Sequence, residues 1–296
     1  MISKASLLES IESGLGASLG KTVDLQWVRD LSGGDINQAA LIESGNNKWF
    51  VKYRNDAPRG IFEAEALALA EMSAAHCIRV PAAVGWGENN NTAWLVLEYL
   101  ELTSSGPGSL LGEQLAALHN VTNDSFGWSQ NNYIGITPQL NQRSDNWVEF
   151  WRDCRLEPQF NMAKAAGYRS RLIDRGERLL ASLDQLMQDH EPAASLLHGD
   201  LWAGNKAYTP AGQPVIFDPA SYYGDRETDI AMTELFGGFD AEFYAAYQAH
   251  SPLPDSYRLR RNLYKLYHVL NHLNLFGASY LSRSENIIDG LLAHIQ

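Results

Sequence analysis

The chain of 296 residues, 45% hydrophobic and 20% charged, has an ordinary globular composition and is long enough for one large domain or two modest ones. Its 35 acidic against 23 basic side chains give a formal net charge of −12, which argues against nucleic acid as a partner. The two cysteines, Cys77 and Cys154, stand outside any CxxC pair, so neither a disulfide framework nor a thiolate zinc site is implied. The opening "MISKASLLESIESGL" reads as an amphipathic helix with acidic residues inside it, unlike a secretory leader. With no run approaching the roughly 20 apolar residues of a membrane span, a cytoplasmic protein without a membrane partner is expected.

After that helix, Val23–Leu31 reads as a strand running into the turn-rich "SGGDIN". "AALIES" and "KWFVKYR" flank "GNN" and predict a hairpin. Gly60–Ala75, rich in Ala, Leu and Glu, predicts a helix, and "AAVGWGENNNTAWLVLEYL" predicts two further strands joined by an Asn-rich turn. The first hundred residues therefore form a helix-bearing antiparallel sheet of about five strands. Ser104 to Gly108 is a Ser/Gly/Pro-rich break. Beyond it, helical patterns cover 145–166, 170–189, 240–250, 256–282 and the C-terminus, interrupted by two strand-like pieces, "ASLLHGD" and "PVIFDPA". The expected division is a small β-rich N-terminal domain over 1–101 and a larger helical domain over 102–296, with a ligand cleft between the two.

The chemistry concentrates in "LLHGDLWAGNKAY" (Leu196 to Tyr208). Asp200 and Asn205 alone fit a capped turn as well as a catalytic loop. Asp218, thirteen residues after Asn205 at the end of an apolar triplet and before Pro219, favours the loop. An acid, an amide five residues on and a second acid after a hairpin-sized interval is the spacing of kinase-type phosphoryl transfer. There the first acid takes the hydroxyl proton, while the amide and second acid hold Mg²⁺, a cation that prefers a few hard oxygen ligands. Lys52, in the second hairpin strand, is placed to reach nucleotide phosphates beneath the Gly33–Gly34 turn, whose backbone amides can approach a phosphate closely. Glu65 in the following helix is the expected partner of Lys52. Glu63 competes, but residues two apart face different sides of a helix, and Glu65 lies on the inward stripe with Phe62 and Leu69. "WLVLEYL" leads into the connector, so Glu98, Tyr99 and Leu100 form the expected adenine-binding hinge, through backbone groups. Glycine turn, strand lysine, helix glutamate, hinge strand and Asp…Asn…Asp fall in the order of a two-lobed kinase.

These segments resemble the fructosamine/ketosamine-3-kinase family, relatives of aminoglycoside phosphotransferases within the protein-kinase-like fold. "LLHGDLWAGN" and "IFDPASYYGDRETDIAMTELFGGF" carry the resemblance, and "SGGDIN", "FVK", "FEAEALAL" and "LYHVLNHLNLFG" extend it over nearly the whole chain. The resemblance implies an α+β, two-lobed kinase-like fold and ATP-dependent phosphorylation, with Mg²⁺, of the 3-hydroxyl of a small ketosamine such as fructosamine or ribulosamine. The 3-phosphate then eliminates and frees the amine, a deglycation role. Asp200 becomes the proton acceptor, Asn205 and Asp218 the metal ligands, Lys52 the phosphate binder with Glu65, and Glu98–Leu100 the hinge. Many relatives carry a cysteine where this chain has Asp35, so a thiol switch at that position cannot operate here.

Trp202 offers a flat apolar wall for a sugar face. His198 reads as scaffolding of the loop, and Asp225, Arg226 and Asp229 in "GDRETD" as brackets around it. His268 and His272 stand one helical turn apart with no third metal ligand at suitable spacing, which disfavours a metal site. The resemblance, in which "LNHLNLFG" is part of the pattern and the C-terminal helices supply the acceptor pocket, implies His272 as a sugar contact. The alternatives are a small-molecule kinase of the aminoglycoside or choline type, or a nucleotide-binding regulator without turnover. Monomer and homodimer both stay open.

Overall fold

The computed structural model describes residues 3–31, 36–89, 91–169 and 171–295. The chain folds as two compact units, residues 1–107 with 206–220, and residues 108–205 with 221–296. No helix among the described residues is long and apolar enough to cross a membrane.

The first unit opens with helix α1 (Lys4–Leu19), whose first turn is capped by Ser3 Oγ accepting from Ser6 N at 3.1 Å. A five-stranded antiparallel sheet follows, made of β1 (Gln26–Leu31), β2 (Gln38–Ser44), β3 (Asn47–Asn55), β4 (Ala83–Asn89) and β5 (Thr92–Glu98), in the order β1-β2-β3-β5-β4. Leu7, Ile11 and Leu15 recur every four residues and lay one stripe of α1 against Trp49, Val51, Trp94 and Val96. The strand period of two then sends Lys52, between Val51 and Tyr53, to the opposite face. On β3 it stands in register with Ala39 of β2 and Leu95 of β5. Helix α2 (Ile61–Ala74) packs against β4 and β5.

Trp94 sets the fit beneath α1. Its indole N–H donates to Ser10 Oγ at 3.0 Å, and a Cβ built on Gly14 or Gly87 would lie 2.3 or 2.6 Å from its ring. These two glycines are there for close approach.

The hairpin of Lys206–Tyr208 and Pro214–Ile216 belongs to the first unit, whereas the sequence pattern predicts a single helical domain over 102–296. Thr103 exchanges backbone hydrogen bonds with Tyr208 (2.7 and 3.0 Å), and Ile216 N donates to Arg79 O at 3.0 Å. Strands of three residues carry too little periodicity to reveal such long-range pairing.

The second unit is largely helical. Helix Gly108–His119 crosses Ala241–His250 so closely that a Cβ at Gly112 would lie 2.3 Å from Phe243 O. A small sheet sets Ala194–Leu196 between Thr122–Asn123 and Tyr223–Gly224. The helical pattern over 145–166 is realised as Trp147–Trp151 and Glu157–Ala165 with a π-helical turn at Arg152–Leu156 between them. The pattern over 256–282 breaks at Gly277 (φ +88°), which ends Tyr257–Phe276 before a 3₁₀ turn at Ala278–Tyr280 and helix Leu281–Ala293.

Gly87→Ala is expected to destabilise the protein by about 1–3 kcal/mol through overpacking against Trp94. Urea unfolding measures this, and the penalty should shrink in a Trp94→Leu background.

Candidate active site

In the first unit the β3 lysine is enclosed. Lys52 is 5% exposed, and its ammonium donates to both carboxylate oxygens of Glu65 at 2.8 Å and to Asp218 Oδ1 at 2.9 Å. Burial works against the ammonium, but the negative charges of Asp218 and Glu65 outweigh it and hold the lysine above its usual pKa range. Burial also pushes the Glu65 carboxyl upward, against the pull of Lys52. Glu65 is buried on α2 whereas Glu63 is exposed, the inward stripe separating the two as anticipated. Asp218 follows Pro214–Ile216 in the left-handed region (φ +58°), where a short polar side chain is tolerated, with its side chain 42% exposed. Such backbone strain tends to collect at functional positions.

Glu98 closes β5, and its N–H donates to Ala82 O at 2.8 Å, while its carboxylate accepts from Arg79. Of the expected hinge, the Glu98 N–H is thus committed within the protein, and Tyr99 and Leu100 follow in half-buried, irregular chain. Gly33 and Gly34 lie outside the described residues, as does Asp35.

In the second unit the strand Ala194–Leu196 delivers the chain into His198–Gly199–Asp200. Asp229, buried at the start of helix Glu227–Leu235, shapes this turn: Oδ2 accepts from His198 N at 2.7 Å and Oδ1 from Gly199 N at 2.8 Å. His119 Nε2–H also donates to Asp229 Oδ2 at 3.1 Å, and Tyr247 O–H donates to His119 Nδ1 at 2.8 Å. Burial raises the Asp229 carboxyl, but these donors and the nearby His198 prevail and lower it below the usual aspartate value. Gly199 adopts φ +83°, a conformation that glycine reaches without strain. His198 is fully buried, and its Nδ1 accepts from Asp200 N at 3.2 Å, which makes it a brace for the turn.

Asp200 keeps its carboxylate partly exposed, while its carbonyl accepts from Asn205 Nδ2 at 2.9 Å and Trp202 N at 3.1 Å. Trp202 is 41% exposed, and its indole folds over Gly204, where a Cβ would lie 2.2 Å from the ring. His272 stands among Phe236, Phe276 and Tyr280 with ring centroids 5.1 to 5.4 Å away. Its Nδ1–H donates to His268 O at 2.8 Å, so the two histidines do not share a ligand in this arrangement. A separate group, His190, Asp225 and Glu227, has ligand atoms within 4.8 Å of one another. Arg260 already clamps both Glu227 oxygens and Tyr264 O–H donates to Asp225, which makes a structural ion network of it.

A buried lysine braced by two carboxylates and an acid on a pinned loop are groups that can neutralise phosphate charge and accept a hydroxyl proton. The sequence profile described as fructosamine kinase matches residues 7–294. The chain belongs to the fructosamine kinase family. A "Probable ketoamine kinase" of Synechocystis is 41% identical over 285 residues, covering 95% of each chain. The chloroplastic protein-ribulosamine 3-kinase of Arabidopsis thaliana is 38% identical over 92% of this chain and 85% of that one. Among solved structures, a Haemophilus somnus protein named as a candidate fructosamine-3-kinase superposes with a TM-score of 0.88 at 29% identity, covering 96% of this chain and 97% of that one. As a fructosamine kinase family member with an antiparallel-sheet N-terminal part and a largely helical remainder, the chain has the kinase-like fold and is a phosphotransferase.

Two residues of this family member escaped the sequence reading. His119 looked like an ordinary basic residue in the last turn of a helix, and only the fold brings it to Asp229. Arg155 sits fully buried in the π-helical turn with no carboxylate partner among the described residues. Its guanidinium lies 3.8 Å over Tyr222 and 4.7 Å from the centre of Phe150, and donates to Asn141 Oδ1 at 2.9 Å. No motif marked it.

Because the folded-state pKa of Asp229 is lowered, its stabilising contribution is complete above the unfolded value near 4 and is lost as pH falls through the lower, folded value. Asp229→Asn should cost about 3 kcal/mol at pH 7, because the buried carboxylate's charge-assisted hydrogen bonds from His198 N, Gly199 N and His119 are lost and one donor is left facing an amide N–H. Urea unfolding at a series of pH values should show the variant with the shallower loss of stability below about pH 4.

Proposed function

We propose that the chain is an ATP-dependent ketosamine kinase that phosphorylates the 3-hydroxyl of fructosamine- or ribulosamine-type adducts. Family membership supports the phosphotransferase chemistry, and the ketoamine and ribulosamine kinase names of two relatives support the acceptor class. The observation that carries the reading is the Lys52 ammonium, buried and braced by Glu65 and Asp218. The two carboxylates offset the cost of burying this cation and hold its ammonium in one place, as the positioning of a phosphate requires.

In this reading Lys52, oriented by Glu65, binds nucleotide phosphates, and the 98–100 segment receives the adenine, with Gly33 and Gly34 as the backbone approach to phosphate. Asp200 accepts the proton as the sugar hydroxyl oxygen bonds to the γ-phosphorus and the bond to the ADP oxygen breaks. Phosphoryl transfer depends mostly on positioning and charge stabilisation, so an ordinary carboxylate suffices. Trp202 presents its exposed face to the sugar, and His272 forms a further acceptor contact. The donor set suits Mg²⁺. Asp218 would contribute a carboxylate oxygen and Asn205, whose Nδ2 is committed to Asp200 O, would contribute Oδ1, both hard oxygens. Bound there with nucleotide, Mg²⁺ would neutralise phosphate charge. The 3-phosphorylated product is prone to eliminate phosphate and release the amine, which supports a repair role.

ADP release from Mg·ATP tests the proposal. Turnover should require a ketosamine, with the parent amine and parent sugar inactive, and Asp200→Ala should lower kcat by about 10²-fold or more. Wild-type turnover in Asp200→Ala would contradict the assignment. An aminoglycoside or choline as the better acceptor would overturn the substrate class.

A further inference from the structure

His268 lies on the helix Tyr257–Phe276, 3% exposed, and its Nδ1 has no hydrogen-bond partner among the described residues. That atom stands 3.9 Å from Asp200 Oδ1. Buried polar atoms without a partner are uncommon in folded proteins, and each calls for a physical reason. The approach is not an ion pair. Burial, with His272 next and Arg155 also contributing, lowers the His268 pKa to about 3 against an opposing pull from Asp229. The ring is therefore neutral at working pH and carries one N–H. A bare Nδ1 lone pair aimed at a carboxylate oxygen would be repelled, so the proton belongs on Nδ1. The gap is about 1 Å longer than a hydrogen bond, a distance of the kind that closes when a catalytic complex tightens around its substrate.

We propose that His268 is the positioning residue for Asp200: with the acceptor bound, its Nδ1–H donates to Asp200 Oδ1 and turns the other carboxylate oxygen toward the sugar hydroxyl. A lysine or arginine in that place would also orient the carboxylate but would draw down its basicity. A neutral donor fixes direction and leaves the base intact. The surroundings hold the ring neutral and in place. Arg155 approaches from the π-helical turn, Asp229 from helix Glu227–Leu235, and Tyr267 and His272 belong to the same helix as His268, with the Tyr267 ring centroid 5.2 Å away. His272 Nδ1–H, donating to His268 O, pins the helical turn that carries the imidazole. The kinetic consequence rests on the ketosamine-kinase reading, whereas the tautomer rests on the geometry of this unit alone.

Two measurements test it on the full chain. An asparagine amide places Nδ2 where imidazole Nδ1 stands, whereas a glutamine amide places its nitrogen nearer the position of Nε2. With a fructosamine or ribulosamine as acceptor, His268→Gln and His268→Phe should lose about 10- to 100-fold in kcat with acceptor KM nearly unchanged, and His268→Asn should recover most of the loss. A merely structural role would not distinguish Asn from Gln in this way at matched melting temperature. His268→Asn as impaired as His268→Phe, or His268→Phe at wild-type kcat, overturns the proposal. Separately, ¹⁵N NMR of the ligand-free protein, with His268 assigned by its loss in His268→Asn, should show a neutral ring protonated at Nδ1, and an unprotonated Nδ1 overturns it. Absence of ketosamine turnover in the wild type would sink the functional reading, and the tautomer would still decide this one.

Discussion

The Lys52 ammonium is the constraint around which the first unit is built. A charge with 5% exposure is tolerable only with opposite charge at hydrogen-bond distance, and two elements converge on its strand to supply it. Strand β3 carries the lysine away from the α1 face, α2 presents Glu65, and the chain returns after Pro214–Ile216 with Asp218. The return is anchored by the pairing of Tyr208 with Thr103 and of Ile216 with Arg79, which places the 206–220 segment with the sheet-bearing unit. Sheet, helix and hairpin thus have a common electrostatic reason to be together.

The second unit solves a related problem with a buried anion. Asp229 supplies both oxygens to the His198 and Gly199 amides and is itself held by His119, which Tyr247 orients in turn. The loop that presents Asp200 is therefore fixed from behind by a chain of hydrogen bonds, with its carboxylate left at a partly exposed edge. Arg226 extends the same scaffold, donating to Tyr247 Oη at 3.0 Å and to Ser251 O at 2.8 Å. Rigid support of this kind suits chemistry that depends on placement more than on base strength.

Much of this arrangement was legible in the sequence where local periodicity and short spacings carry it. The five strands of the first unit, the inward stripe that selects Glu65 over Glu63, and the helix start with acidic first-turn residues in "GDRETD" all follow from neighbours within a few residues. What escaped depends on distance in sequence. His119 and Asp229 are 110 residues apart, Lys52 and Asp218 are 166 apart, and the Arg155 π-helical turn leaves no mark in a pattern that reads as continuous helix. The return of the 206–220 hairpin was invisible for the same reason, since three-residue strands reveal their partners only in the fold. His268 was visible in the sequence only as half of a histidine pair, and the fold redirects attention from a shared metal to its unpartnered Nδ1.

The position of the transferred phosphate is the most direct test of the account. Wild-type enzyme, Mg·ATP and a ¹³C-labelled fructosamine can be followed by ³¹P and ¹³C NMR. The account predicts a new phosphate monoester coupled to C3 of the sugar, followed by loss of phosphate and appearance of the free amine. A monoester at another carbon, or ATP consumed with no sugar phosphate formed, would contradict it.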